Sequence, residues 1–246
     1  MLEVEQRSGV TVVELRHGKV NALDLELLQA ITATMRGIGG AGPVVITGAG
    51  PAFCAGVDLQ RIADGGTGYV QEFLPALSEA FRAVFDYPGP VVAAVNGHAI
   101  AGGCVLAAAC DVRLMSAGTI GLAELSVGVP FPVTAMEILR HAYGPATSRL
   151  VLTAELFDAS RAQSLGLIDD ACAPGELLDA VLRRAQRLAR TPADVFAFSK
   201  HQLQQPAREQ LAARSEDDAA VLAMWSADST QQAITGYLQA LKSRSR

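Results

Sequence analysis

An α/β fold with a largely parallel sheet is predicted by three features of this 246-residue chain. Short β-rich runs recur along its first half, helical patterns fall between them, and strand character stops after about Pro192. The runs are residues 11–15, which alternate in polarity, then 43–47, Val91–Val95 and Val112–Met115, each bounded by Gly, Asn or Ser. Helical periodicity covers residues 25–36 and 70–85, and strands that alternate with helices favour parallel pairing. From residue 193 to 241 helix formers dominate, with Leu203, Leu211, Val221, Leu222, Trp225, Ile234, Leu238 and Leu241 as apolar stripes. Pro206 and residues 226–229 read as helix breaks. Residues 1–192 are therefore expected to form the core, and 193–246 a helical C-terminal region.

Half of the chain is hydrophobic and 18% is charged, against roughly 25% in ordinary soluble domains. So little charge predicts apolar surface buried between subunits, hence an oligomer. A net charge of -5 argues against a nucleic-acid partner, which needs a basic face. Arg183, Arg184, Arg187 and Arg190 sit at helical spacing and read as a solvated face. The four cysteines (Cys54, Cys104, Cys110, Cys172) form no CxxC pair and have no His at metal-ligand spacing. Free thiols in small apolar surroundings imply a reducing compartment. Residues 1–9 are polar, with no signal-peptide core, and no apolar run has membrane-spanning length. A cytoplasmic location without membrane contact is expected.

Three segments carry candidate chemistry. After the strand ending at Thr47 comes Pro51-Ala52-Phe53-Cys54-Ala55-Gly56-Val57-Asp58-Leu59, where small residues let the backbone approach a ligand. After Val91–Val95 comes Gly97-His98-Ala99-Ile100-Ala101-Gly102-Gly103-Cys104-Val105, a strand running into glycines and then an Ala-rich helix. Helix starts hold unpaired N–H groups that suit a developing oxyanion; tight packing alone also explains such junctions. The third segment, Ile120 to Pro132, sets Glu124 among Leu122, Leu125, Val127 and Val129. An apolar wall raises a carboxyl pKa and makes the anion a better base; an exposed Glu complementing a helix start is the other reading. No GxGxxG, GxSxG or phosphate-loop motif occurs.

Together these segments resemble the crotonase, or enoyl-CoA hydratase/isomerase, superfamily. The similarity runs from Val20-Asn21-Ala22-Leu23 to residues 162–169 and on through the helical tail. The resemblance implies a spiral of ββα turns with a helical C-terminal region that builds trimers, often paired into hexamers. It implies an acyl-coenzyme A thioester substrate, no metal and no separate cofactor. The backbone N–H groups of Val57 and Gly102 would hold the thioester oxygen. Ala22, Ala55, Asp58 and Leu59 match positions near adenine and pantetheine. Hydratases of the family resemble GGGCE across the second turn, whereas here Val105 stands at that glutamate. The other family glutamate is kept as Glu124. One carboxylate with an apolar partner is similar to the mitochondrial-type 3-enoyl-CoA to 2-enoyl-CoA isomerases. A hydratase, an acyl-CoA hydrolase and a catalytically silent scaffold are the competing readings.

Several further residues have expected roles. Phe131 and its neighbours to 136, with residues 69–77, are expected to line the acyl end. His98 and Glu137 are reserve acid/base groups, His98 being more simply a hydrogen-bonded structural residue. His141 reads as a helix C-terminal residue and Asp111 as a partner for backbone groups. Lys200 and His201 are candidates to reach a coenzyme A phosphate, and Trp225 belongs to an interface or core.

Overall fold

The computed structural model describes residues 1–214 and 216–244. Ten strands are found among them: β1 Leu2–Arg7, β2 Val10–Leu15, β3 Val44–Gly48, β4 Ala52–Cys54, β5 Val91–Val95, β6 His98–Ile100, β7 Val112–Met115, β8 Ile120–Gly121, β9 Leu156–Phe157 and β10 Asp170–Ala171. The helices are α1 Leu25–Gly37, α2 Leu59–Phe85, α3 Gly102–Ala108, α4 Glu124–Val127, α5 Val133–Tyr143, α6 Ala146–Thr153, α7 Ala159–Ser164, α8 Leu177–Leu188, α9 Ala193–Ala213, α10 Asp217–Ser226 and α11 Asp228–Arg244.

Six strands form one sheet in the order β1-β2-β3-β5-β7-β10, parallel except for the β1–β2 hairpin. A second sheet runs β4-β6-β8-β9, with only β9 antiparallel. Two strands and a helix recur three times, as β3–β4–α2, β5–β6–α3 and β7–β8–α4. In each unit the first strand joins the large sheet and the second joins the small one. The ββα spiral expected from the resemblance is present.

Period-2 alternation explains how both faces of the large sheet are buried. Val13, Leu15, Val44, Ile46, Ala93 and Val95 face the main core with α1, α2 and α3. Val12, Val45, Val92, Ala94 and Leu114 face the other way, onto α8. α8 presents Leu177, Val181 and Ala185 to them, four residues apart, leaving Arg183, Arg187 and Arg190 exposed and Arg184 paired with Asp170. Each fully buried Val or Leu contributes about 1.5–3 kcal/mol of transfer free energy.

Past Pro192 only helices are found among the described residues, as expected. α9 packs on α5, and α10 and α11 fold back onto α2. The break at residues 226–229 is real, since α10 stops at Ser226 and α11 starts at Asp228. Pro206 is a correction: it lies inside α9. Proline removes one N–H bond to the carbonyl four residues back, and here that residue, Gln202, is exposed. The helix expected over 70–85 begins earlier, at Leu59, and kinks at Gly66, where φ is 57°. β1 was not foreseen, because its side chains are half-buried or exposed and lack an apolar stripe. The four cysteines are free thiols, and burial pushes Cys54, Cys104 and Cys110 up to about 12, keeping them protonated. No helix among the described residues is long and apolar enough to cross a membrane.

Candidate active site

The two glycine-containing turns lie side by side. Gly56 has φ 90°, and a Cβ there would lie 2.7 Å from the Ile100 carbonyl oxygen and 2.9 Å from the Ala101 Cβ. Only glycine meets both the dihedral and the contact. Gly103 is just as confined, since its Cβ would fall 2.0 Å from the Cys54 carbonyl oxygen. Close backbone packing thus brings the chain around Val57 against the start of α3.

Main-chain hydrogen bonding then decides where two N–H groups point. Leu23 and Val57 form an isolated parallel bridge. Its bonds run from Leu23 N–H to the Gly56 carbonyl, 2.8 Å, and from Asp58 N–H to the Leu23 carbonyl, 2.9 Å. A parallel bridge engages the groups flanking its central residue, so the N–H of Val57 faces away from Leu23. Gly102 is the first residue of α3, and such a residue's N–H has no partner within its helix. The preceding Ala101 holds φ 54°, an uncommon conformation for a residue with a Cβ, and caps α3 without a side-chain hydrogen bond. Both Val57 and Gly102 line a cavity of about 500 Å³.

Glu124 lines the same cavity, at the start of α4, beside Val127 and Val129. Its carboxyl pKa is raised from 4.5 to about 7, chiefly because burial against apolar groups disfavours the anion. The N–H groups of Glu124 and Ala123 oppose that rise, the latter donating to Oε2 at 2.9 Å. The other carboxylate in the wall, Asp58, caps α2 by accepting from the N–H groups of Gln60 and Arg61 at 3.0 and 3.1 Å. One carboxylate therefore serves the helix and one faces an apolar chamber. Val105 is buried in that wall.

Ala22, Ala55, Leu59 and Phe131 join Val57, Asp58, Gly102, Val105 and Glu124 around the cavity, so residues far apart in the chain converge. Other expectations need correction. Leu125 is 43% exposed and Leu122 is buried elsewhere, so Val127 and Val129 form the apolar wall. Of residues 69–77 only Leu77 reaches the cavity; the Tyr69 hydroxyl instead accepts from Leu25 N–H at 3.0 Å. His98 is exposed and bonded through Nδ1 to Thr119, away from the chamber. Glu137 is buried against Arg140, with Arg214 4.0 Å away, and stays outside the lining.

Lys200 does not reach outward. Its Nζ donates to Asp111 at 2.9 Å and to the Gly89 carbonyl at 3.3 Å, and Asp111 also accepts from Val91 N–H at 2.8 Å. Asp111 thus satisfies backbone as expected. His141 lies near the end of α5, edge-on to Phe85. It is a basic residue of the last turn, as expected, and burial lowers its pKa from the ordinary 6.5.

Sequence reasoning missed Phe81, Trp225, Tyr237 and Leu238, all of which line the cavity. Trp225 is 2% exposed and donates from Nε1 to the Pro130 carbonyl at 2.9 Å. Trp225 and Leu238 belong to apolar stripes that read as core, and nothing local distinguishes a core face from a pocket face.

A family model described as Enoyl-CoA hydratase/isomerase matches residues 5–244. The chain belongs to that family. Among its curated relatives, a putative enoyl-CoA hydratase of Thermus thermophilus is 33% identical over 212 residues, covering 82% of this chain and 83% of the relative. The mitochondrial enoyl-CoA delta isomerase 1 of Mus musculus is 26% identical over 256 residues, covering 99% and 88%. Among solved structures, the human mitochondrial delta3-delta2-enoyl-CoA isomerase superposes with a TM-score of 0.92 over 99% of this chain and 98% of its own; at 24% identity that is a likeness of fold. A probable enoyl-CoA hydratase of Mycobacterium tuberculosis gives 0.83 at 28% identity, covering 91% and 96%. The family thus spans both activities, and the fold is shared by both.

Proposed function

We propose that the chain isomerises 3-enoyl-CoA thioesters to 2-enoyl-CoA thioesters, with Glu124 as the single acid/base. The observation that carries this reading is the chamber's carboxylate inventory: of the two in the wall, Asp58 is held by the start of α2, while Glu124 stands against apolar groups with a pKa near 7, and Val105 is apolar. Hydration prefers two carboxylates around a water, whereas a double-bond shift needs one base. Glu124 removes the proton alpha to the thioester, the electron pair spreads through a dienolate, and the same carboxyl returns the proton at the gamma carbon. Nothing is oxidised or reduced and no water is added, so neither metal nor redox cofactor enters the balance. The thioester oxygen gathers the negative charge between the N–H groups of Val57 and Gly102, where losing one donor typically costs about 3–4 kcal/mol. Ala22, Ala55, Asp58 and Leu59 are proposed to border the pantetheine and adenine, and Phe131 the acyl chain.

The relatives named hydratases favour a second reading, hydration of 2-enoyl-CoA on the same scaffold. Incubating the protein separately with a 3-enoyl-CoA and a 2-enoyl-CoA, and following conjugated thioester absorbance, separates the two. Absorbance should appear with the first and persist with the second. Rapid loss with the second, undiminished in Glu124→Gln, would establish the hydratase instead. A homo-oligomer, trimer or hexamer, is also proposed; the exposed Phe198 and Leu203 of α9 support it.

A further inference from the structure

A second cavity, of about 290 Å³, borders the candidate active site. Three elements pass along both. Pro132 lines both; α2 gives Leu77 to the first and Leu74 and Ser78 to the second; α10 gives Trp225 to the first and, one turn earlier, Val221 to the second. The small residues around the thioester site, Ala22, Ala55 and Gly102, line only the first. The second cavity therefore lies at the end remote from the two N–H groups; Pro132 is the partition residue common to both, and Trp225, which lines only the first, stands one turn of α10 from Val221 in the second.

That partition is rigid. The Trp225 indole is 2% exposed, and its Nε1 is bonded to the Pro130 carbonyl, two residues before Pro132. Swinging the ring aside would leave a buried donor and acceptor unpaired. α10 is held from the other side as well, because Asp218 accepts from Val133 N–H at 2.9 Å. An acyl chain in the first cavity thus meets a fixed aromatic wall, with the second, largely apolar cavity one helical turn further along α10.

We propose that Trp225 is the acyl-length determinant: it stops the chain at the partition, restricting the substrate to short- and medium-chain thioesters, and its removal opens the second cavity to longer ones. This rests on the acyl-CoA reading of the first cavity. Direct binding of saturated acyl-CoAs, which cannot isomerise, tests it by calorimetry with butyryl-, octanoyl- and hexadecanoyl-CoA. The unchanged protein should bind octanoyl-CoA at least about tenfold tighter than hexadecanoyl-CoA, the scale on which a closed apolar pocket discriminates by length. In Trp225→Ala that ratio should fall below about threefold. Trp225→Phe, which keeps most of the packing, should lie between, covering the case in which the alanine variant does not fold. A ratio unchanged in either folded variant, or hexadecanoyl-CoA bound as tightly as octanoyl-CoA by the unchanged protein, overturns the proposal. A merely structural role would weaken all three ligands alike. Failure to bind any of them overturns the acyl-CoA reading itself, and the length determinant with it.

Discussion

Replacing Glu124 with Gln keeps the shape of the side chain and an oxygen for the Ala123 N–H, but removes the titration. In the folded protein the carboxyl holds its proton to about pH 7, against an ordinary 4.5. The unfolded chain releases that proton near the ordinary value, so the folded state binds more protons between the two. Stability must then fall as pH rises through this window. At about 1.36 kcal/mol per pH unit, the rise to about 7 corresponds to about 3 kcal/mol, as an upper figure for a partly solvated group. Glu124→Gln should therefore match the unchanged protein's pH dependence below 4.5, gain stability steadily from there to 7, and stay ahead by about 1–3 kcal/mol above it. Urea midpoints taken at half-unit steps from pH 4 to 9, with the slope checked at each, measure this. A difference that stays flat across the window refutes the placement of Glu124 in an apolar wall.

In the proposed mechanism the same group is the base and must be ionised to act: kcat/KM for a 3-enoyl-CoA should climb tenfold per unit below about pH 7 and level above it, a profile readable by conjugated-thioester absorbance. Glu124→Gln should lower kcat by about a hundred- to ten-thousand-fold in that assay while leaving substrate affinity within a few-fold. Val105→Glu would set a third carboxylate in the cavity wall; like charge should move the acid limb of that profile to higher pH. Gly56→Ala should abolish turnover and cost at least about 1–2 kcal/mol in thermal or urea unfolding, because its Cβ collides with Ile100 at an unfavourable φ. Lys200→Met should destabilise by about 3–5 kcal/mol, leaving Asp111 without its cation, yet not change KM; a KM increase would restore the phosphate-contact role.

Much of the fold was legible because its signals are local. Strands β2, β3, β5 and β7 declare themselves by β-branched runs, α1 by apolar spacing and α8 by arginines at helical spacing, none of which needs knowledge of the partner surface. Strand β1 and the two-residue β8, β9 and β10 carry no such pattern; β1 is fixed by its hairpin with β2, and the other three by neighbours distant in the chain. Charged residues were harder still. Lys200 and Glu137 look available in sequence, but burial and an opposite charge within reach confine each to a structural ion pair.

By itself, then, the chain's order of residues settled the α/β class, the helical tail, the two turns and the lone glutamate, because periodicity, glycine placement and side-chain chemistry act over a few residues. Only the tertiary arrangement decided which surfaces meet. It set Gly56 against Ala101, placed Val57 and Gly102 along one cavity, drew Tyr237 and Leu238 back over Glu124's chamber, and made Trp225 a wall. Those outcomes depend on long-range packing, where an apolar side chain facing a pocket and one facing the core follow the same pattern until the elements close around them.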